Sequence, residues 1–154
     1  MDLNNFVIVF DLDDTLYSER SYFFSGLSAV EEFITRIYDI PFEGKIISAH
    51  KKGVTDLWGW CCETLGYPEE LKQSLIWIYR LHNPKIKLHD GIEKLLTTLK
   101  KYKANLVILS DGRSFSQRLK INALNLQDYP LYLSEEYCSI KPDLLRFERI
   151  QKRW

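Results

Sequence analysis

An open α/β sheet with helices on both faces, interrupted after its first strand by a helical insert, is the fold class this sequence predicts. Three observations point to it. Phe6 to Phe10 is a continuous apolar run, β-branched and aromatic, that stops at acids, which suits a strand buried on both faces in a parallel sheet. A stretch of helical periodicity follows, from about Ser21 to His82. Strand and helix patterns then alternate to the last residue, as parallel strands joined by crossover helices require.

Within the insert, Phe24, Leu27, Val30, Phe33, Ile34 and Ile37 form one apolar stripe and Leu71, Leu75, Ile78 and Tyr79 another. Between them Ile46, Ile47, Val54, Leu57, Trp58 and Leu65 fit a further helical stretch, interrupted at Gly53 and Gly59. Asp90 and Glu93 have the spacing of a capping box opening a helix through Leu95, Leu96 and Leu99 and ending at Lys100 and Lys101. Ala104 to Leu109 reads as a second buried strand, Phe115 to Leu124 as a helix, and Leu131 to Leu133 as a short third strand. Pro142 sits where a first helical turn would begin, and Leu144, Leu145, Phe147 and Ile150 carry an apolar helical face.

The chain has 154 residues, 45% of them hydrophobic and 27% charged, enough to bury a core without disulfide or metal staples. Lys and Arg number 21, as do Asp and Glu, and no basic run tracks along the chain, so nucleic acid is not an expected partner. No apolar stretch approaches the roughly 20 residues of a membrane helix, and the start does not read as a signal peptide. Cys61, Cys62 and Cys138 form neither a disulfide framework nor a zinc pattern, which favours a cytoplasmic compartment. His50, His82 and His89 are too scattered for a metal cluster. Trp58, Trp60 and Trp77 in the insert serve packing before ligand stacking.

The chemistry-bearing segment is Asp11-Leu12-Asp13-Asp14-Thr15, directly after the first strand. Residues i and i+2 of an extended segment share a side, so Asp11 and Asp13 can face one ligand. Two such carboxylates can hold Mg²⁺, and one can attack phosphorus to give an aspartyl-phosphate. The same acids also suit a turn that caps the next helix. Ser110 ends the second strand, and its hydroxyl with the N–H groups of Asp111 and Gly112 could bind phosphate oxygens, or simply terminate the strand. Lys141 precedes Pro142, so its ammonium is aimed from a constrained backbone, although a Lys-Pro pair alone also marks a helix start.

In this order the three segments resemble the haloacid dehalogenase superfamily of phosphohydrolases, and the resemblance covers nearly the whole chain. It implies a Rossmann-like core made of residues 1–18 and 86–154, with an α-helical cap at 19–85. It further implies Asp11 as nucleophile, Asp13 as general acid/base, and Lys141 as the residue that steadies their charges. Thr15, Ser110, Asp111 and Gly112 would contact the substrate phosphate, and Asp11 and Asp13 would hold Mg²⁺. Dehalogenase members lack the second Asp, so the implied activity is phosphatase action on a small phosphorylated metabolite, a sugar phosphate or nucleoside monophosphate. Asp14 leans the same way, since mutase relatives more often carry Gly there. Tyr17 is similar to nucleotidase-like members, and Arg20 is a candidate anion contact at the cap hinge.

One family motif finds no counterpart. It places further acids on a strand after the Lys-Pro helix, where they complete the Mg²⁺ shell, and no Asp or Glu follows Glu148. The expectation is therefore a core lacking its C-terminal strands, with the Phe6 to Phe10 strand open at one edge. Such an edge invites a homodimer or strand-swapped assembly. With that shell incomplete, the 154-residue form is expected to bind Mg²⁺ weakly and to be weakly active or inactive. A catalytically inactive fragment or pseudoenzyme, serving as a binding module, is the alternative reading.

Overall fold

The computed structural model describes residues 2–154. Its sheet has three parallel strands, β1 (Val7–Phe10), β2 (Asn105–Ser110) and β3 (Leu131–Leu133), in the order β1-β2-β3. Val7 pairs with Asn105 and Ile108 with Leu131, so the C-terminal ends of β1 and β2 stand side by side. Helices α1 (Glu19–Tyr38), α2 (Lys45–Lys51), α3 (Leu57–Leu65) and α4 (Leu71–Leu81) follow β1. Helix α5 (Ile92–Lys101) precedes β2, α6 (Ser114–Ala123) lies between β2 and β3, and α7 (Ser134–Tyr137) and α8 (Leu145–Gln151) close the order. This is the α/β architecture that the sequence predicts.

Two compact units partition the chain. One comprises the residues up to Glu19 together with Ile86–Trp154, the other Arg20–Lys85. In the first, every residue of β2 from Leu106 to Ser110 is buried, so both faces of that strand are covered. Val107, Leu109, Tyr132 and Ile150 form a buried cluster, with Val7 and Val9 packed against it. All four residues of β1 are only half-buried, and a groove of about 390 Å³ runs beside Val7 and Val9, lined by Phe147, Ile150 and Trp154.

The helical unit holds its own core of Leu27, Val30, Ile34, Ile46 and Leu75, with Cys61 among them. Burial pushes the Cys61 thiol up to about 12, as expected of a thiol kept from water. Glu31, 3% exposed, accepts the N–H of Gly44 at 2.9 Å and that of Ile47 at 3.0 Å, so a carboxylate from α1 caps the start of α2.

Several sequence expectations are corrected in detail. Gly53, with φ 89°, does end the α2 segment, but Gly59 lies within α3. Its N–H donates to Asp56 Oδ1 at 2.9 Å, and a Cβ there would collide with Asp56 and Lys72. No capping box forms at Asp90 and Glu93: left-handed Gly91 precedes α5, without a side-chain cap. Helix α8 starts at Leu145 and not at Pro142, because Asp143 Oδ1 takes the Leu145 N–H at 2.9 Å and sets the start there. Its buried stripe is Arg146 and Ile150, whereas Leu144 is 65% exposed and Phe147 39%. No helix among the described residues is long and apolar enough to cross a membrane.

Candidate active site

Parallel strands present functional groups at their C-terminal ends, and the acids of this chain follow that rule. After β1 the backbone folds into a tight turn anchored by Leu12 and Leu16, both fully buried. Leu12 O accepts the Leu16 N–H at 3.0 Å, and Leu16 O accepts the His89 N–H at 2.9 Å. Asp14 adopts φ 53°, a conformation tolerated by Asp, and its Oδ1 accepts the Glu19 N–H at 2.8 Å where α1 begins. The helix-capping reading of the acidic turn thus holds for Asp14 alone of the three acids.

Asp11 and Asp13 have different surroundings. Lys141 Nζ donates to Asp11 Oδ1 at 2.5 Å, with the Asp11 side chain 40% exposed. The other Asp11 oxygen makes no hydrogen bond among the described residues. Asp13 is more enclosed. Its Oδ1 accepts from Tyr17 Oη and from Lys120 Nζ at 2.7 Å, and its Oδ2 accepts from Gln117 Nε2 at 2.7 Å. Burial pushes the Asp13 carboxyl up, but the hydrogen bonds from Lys120, Tyr17 and Gln117, with the Lys120 charge, outweigh it and hold the group below its usual value.

Around this pair the segment after β2 is tied down by its own contacts. Arg146, fully buried, pairs with Asp111 and donates to the carbonyls of Ser110 at 2.9 Å and Tyr132 at 3.2 Å. Asp111 Oδ2 also accepts the Lys141 N–H at 3.0 Å, which fixes the base of the lysine that reaches Asp11. The Gly112 N–H donates to Ser134 Oγ at 2.9 Å. Ser110 Oγ is buried, 2.8 Å from Gln117 Nε2 and 3.5 Å from Asp13 Oδ2. Thr15 is exposed, and its N–H turns back to Leu12 O at 3.4 Å.

The structure therefore brings Asp11, Asp13, Ser110, Asp111 and Lys141 into one connected cluster, with Gly112 at its margin and Thr15 outside its bonding. Four partners escaped the sequence reading: Gln117, Lys120, Arg146 and Ser134. The first two carried a signal. Gln117, Lys120, Ile121 and Leu124 recur at the spacing of an inward helical stripe, and its first half is polar. Arg146 falls in the apolar stretch Leu144 to Phe147 and Ser134 between Leu133 and two glutamates, and neither gave a signal.

A divalent cation suits part of this donor set. Asp11 has a carboxylate oxygen to offer, whereas both carboxylate oxygens of Asp13 are engaged by Tyr17, Lys120 and Gln117. No group of three or more His, Cys, Asp or Glu residues that could hold a metal occurs among the described residues. Of the two predicted ligands, Asp11 would offer a Mg²⁺ ion a carboxylate oxygen without a hydrogen bond, and at Asp13 the ion would share an oxygen with Tyr17, Lys120 or Gln117.

Comparison with known proteins bears on the same architecture. The sequence profile of the haloacid dehalogenase-like hydrolases matches residues 7–150. No curated protein matches the sequence. Among solved structures, the candidate HAD hydrolase YfnB of Bacillus subtilis, crystallised with magnesium, superimposes with a TM-score of 0.62 at 18% identity, over 100% of this chain and 73% of its own. A candidate β-phosphoglucomutase from Thermotoga maritima gives 0.62 at 17% identity, over 95% of this chain and 71% of its own. A 2-haloacid dehalogenase from Pseudomonas syringae pv. Tomato gives 0.59 at 19% identity, over 96% and 72%. At these identities the likeness is one of fold, shared by proteins whose names denote different reactions.

Proposed function

The chain belongs to the haloacid dehalogenase-like hydrolases, and from that premise we propose that it is a Mg²⁺-dependent phosphomonoesterase of a small phosphorylated metabolite, a sugar phosphate or nucleoside monophosphate. The observation that carries this reading is the pairing of Lys141 with Asp11 beside a second carboxylate, Asp13, that is held by three side-chain donors. A nucleophile with an exposed oxygen and a positioned acid/base are what a two-step phosphoryl transfer needs.

In the first step an Asp11 oxygen forms a bond to phosphorus while the ester oxygen leaves, taking a proton from Asp13. In the second, Asp13 accepts a proton from water, whose oxygen attacks the aspartyl-phosphate, releasing phosphate and restoring Asp11. Asp13 is a carboxylate in the free protein and takes its proton from solvent as the phosphate enters, a second negative charge that raises its affinity for that proton; the second step returns the proton to it. Lys141 supplies the counter-charge that lets Asp11 and the phosphate share the site. Mg²⁺ on Asp11 would add charge neutralisation at the phosphoryl oxygens.

A panel of sugar phosphates, nucleoside monophosphates and p-nitrophenyl phosphate, assayed with and without Mg²⁺, tests the proposal. Weak Mg²⁺-dependent phosphate release that is lost in Asp11→Asn is the expected result, weak because the acids that would complete the Mg²⁺ shell have no counterpart in this chain. Full turnover in chelator, or no release from any ester, overturns it and favours a non-catalytic binding module.

A further inference from the structure

Helix α6 contributes two residues to the site that the three motifs do not include. We propose that Lys120 and Gln117 are positioning residues for Asp13, setting the direction from which it delivers its proton to the leaving group; this rests on the phosphomonoesterase reading above. Lys120 and Gln117 are three residues apart, so one face of α6 presents both. They grip different oxygens of the same carboxylate: Lys120 holds Oδ1 at 2.7 Å and Gln117 holds Oδ2 at 2.7 Å. Held from both sides, the carboxylate cannot rotate about its Cβ–Cγ bond without breaking one of them.

Burial makes these contacts selective. The Lys120 side chain is 7% exposed and Gln117 is 2% exposed. Placing an ammonium so far from water is costly unless it is paired, and Asp13 is its acidic partner. The Lys120 ammonium also stands over the Tyr17 ring, 5.9 Å from its centroid, and Tyr17 itself donates to Asp13 Oδ1.

Gln117 does more than fill space. Its Nε2 faces three acceptors, Asp13 Oδ2, the Ser110 hydroxyl at 2.8 Å and the Asp111 carbonyl at 2.7 Å. That choice fixes which way the amide points and leaves Oε1 buried without a hydrogen-bond partner. One side chain thereby ties the turn after β1 to the end of β2. Tolerating an unpartnered oxygen next to that tie costs stability, and the structure accepts it to keep the Nε2 contacts.

The test separates positioning from general support of the fold. Lys120→Met keeps the stem and removes the charge; Lys120→Arg keeps a charge that can still reach the carboxylate; Gln117→Leu removes the tie. Each is assayed as kcat/KM, which reports only the steps through phosphoryl transfer to Asp11, on p-nitrophenyl phosphate and on an alkyl phosphate. The nitrophenolate leaves without a proton, whereas an alkoxide needs one. Lys120→Met and Gln117→Leu are expected to lose roughly tenfold or more on the alkyl ester beyond any loss on the aryl ester, with Lys120→Arg recovering part of it.

Equal losses on both esters overturn the proposal. Crystal structures of the wild type and Lys120→Met give a readout that needs no turnover. The proposal expects the Asp13 carboxylate to rotate or split between orientations while β1 and β2 stay in register; an unmoved Asp13 overturns it. If the wild type hydrolyses no phosphate ester, the functional reading fails, and the crystal structures alone decide the positioning.

Discussion

Glu31 and Asp13 are both carboxylates largely withdrawn from water, and they are satisfied in opposite ways. Glu31 accepts two backbone N–H groups at the start of α2. Asp13 accepts from the side chains of Tyr17, Lys120 and Gln117. Backbone donors are fixed by the fold, so a carboxylate that binds them is a structural bolt. Side-chain donors hold charge in place while leaving the local backbone paired elsewhere, so a carboxylate that binds them can change proton state without unfolding a helix. In the helical unit Asp56 caps α3 as Glu31 caps α2, although its second oxygen also takes the Lys72 ammonium at 2.8 Å. In the unit containing the sheet, side-chain donors hold Asp11 and Asp13.

The contrast is sharpest at Asp11. Asp11→Asn removes the nucleophile, and turnover is expected to fall by about 10⁴-fold or more, equivalent to about 5 kcal/mol of barrier, with an unchanged melting temperature. Steady-state kinetics beside thermal unfolding checks both halves. Arg146 should behave in the opposite sense: Arg146→Met strands Asp111 and two strand carbonyls, so about 3–5 kcal/mol of stability is expected to disappear, measured by urea unfolding.

Glu31→Ala is expected to cost about 2 kcal/mol through the lost cap on α2, again by urea unfolding, while kcat of the surviving folded protein holds. A fall in kcat larger than the loss of folded fraction would break the distinction between bolt and chemistry.

The smallest effect is a pH dependence. The Asp13 carboxyl is held below its ordinary value of 3.8 in the folded protein. Its contribution to stability is therefore present above that value and is lost as pH falls through the lower, folded one. The stability difference between wild type and Asp13→Asn should accordingly hold steady near neutrality and shrink in acid below about pH 4. A difference that widens in acid would mean that Asp13 folds as the protonated acid.

Much of this was legible in sequence where hydrophobic pattern and polar punctuation agree. The run from Phe6 to Phe10 followed by acids gave β1 and the site at its end, because a buried parallel strand has no alternation to blur it. Leu131 to Leu133 gave β3 for the same reason. The pattern failed at α8, where the apolar residues Leu144 and Phe147 stay largely exposed and the charged Arg146 is buried. Hydrophobicity cannot announce that a guanidinium will find a carboxylate and two carbonyl oxygens distant in sequence. Gln117 and Lys120 did carry the spacing of an inward stripe, but not their partner, since Asp13 lies more than a hundred residues earlier.

Asp11 as the covalent nucleophile is tested most directly by quenching a reaction in acid during turnover with Mg²⁺ and a hydrolysable phosphate ester, then mapping the phosphoryl group by peptide mass spectrometry. The account predicts a single phosphoryl adduct on the peptide containing Asp11, converted to homoserine by borohydride and missing from Asp11→Asn. Turnover with no adduct at any time point, or an adduct on another residue, would contradict it.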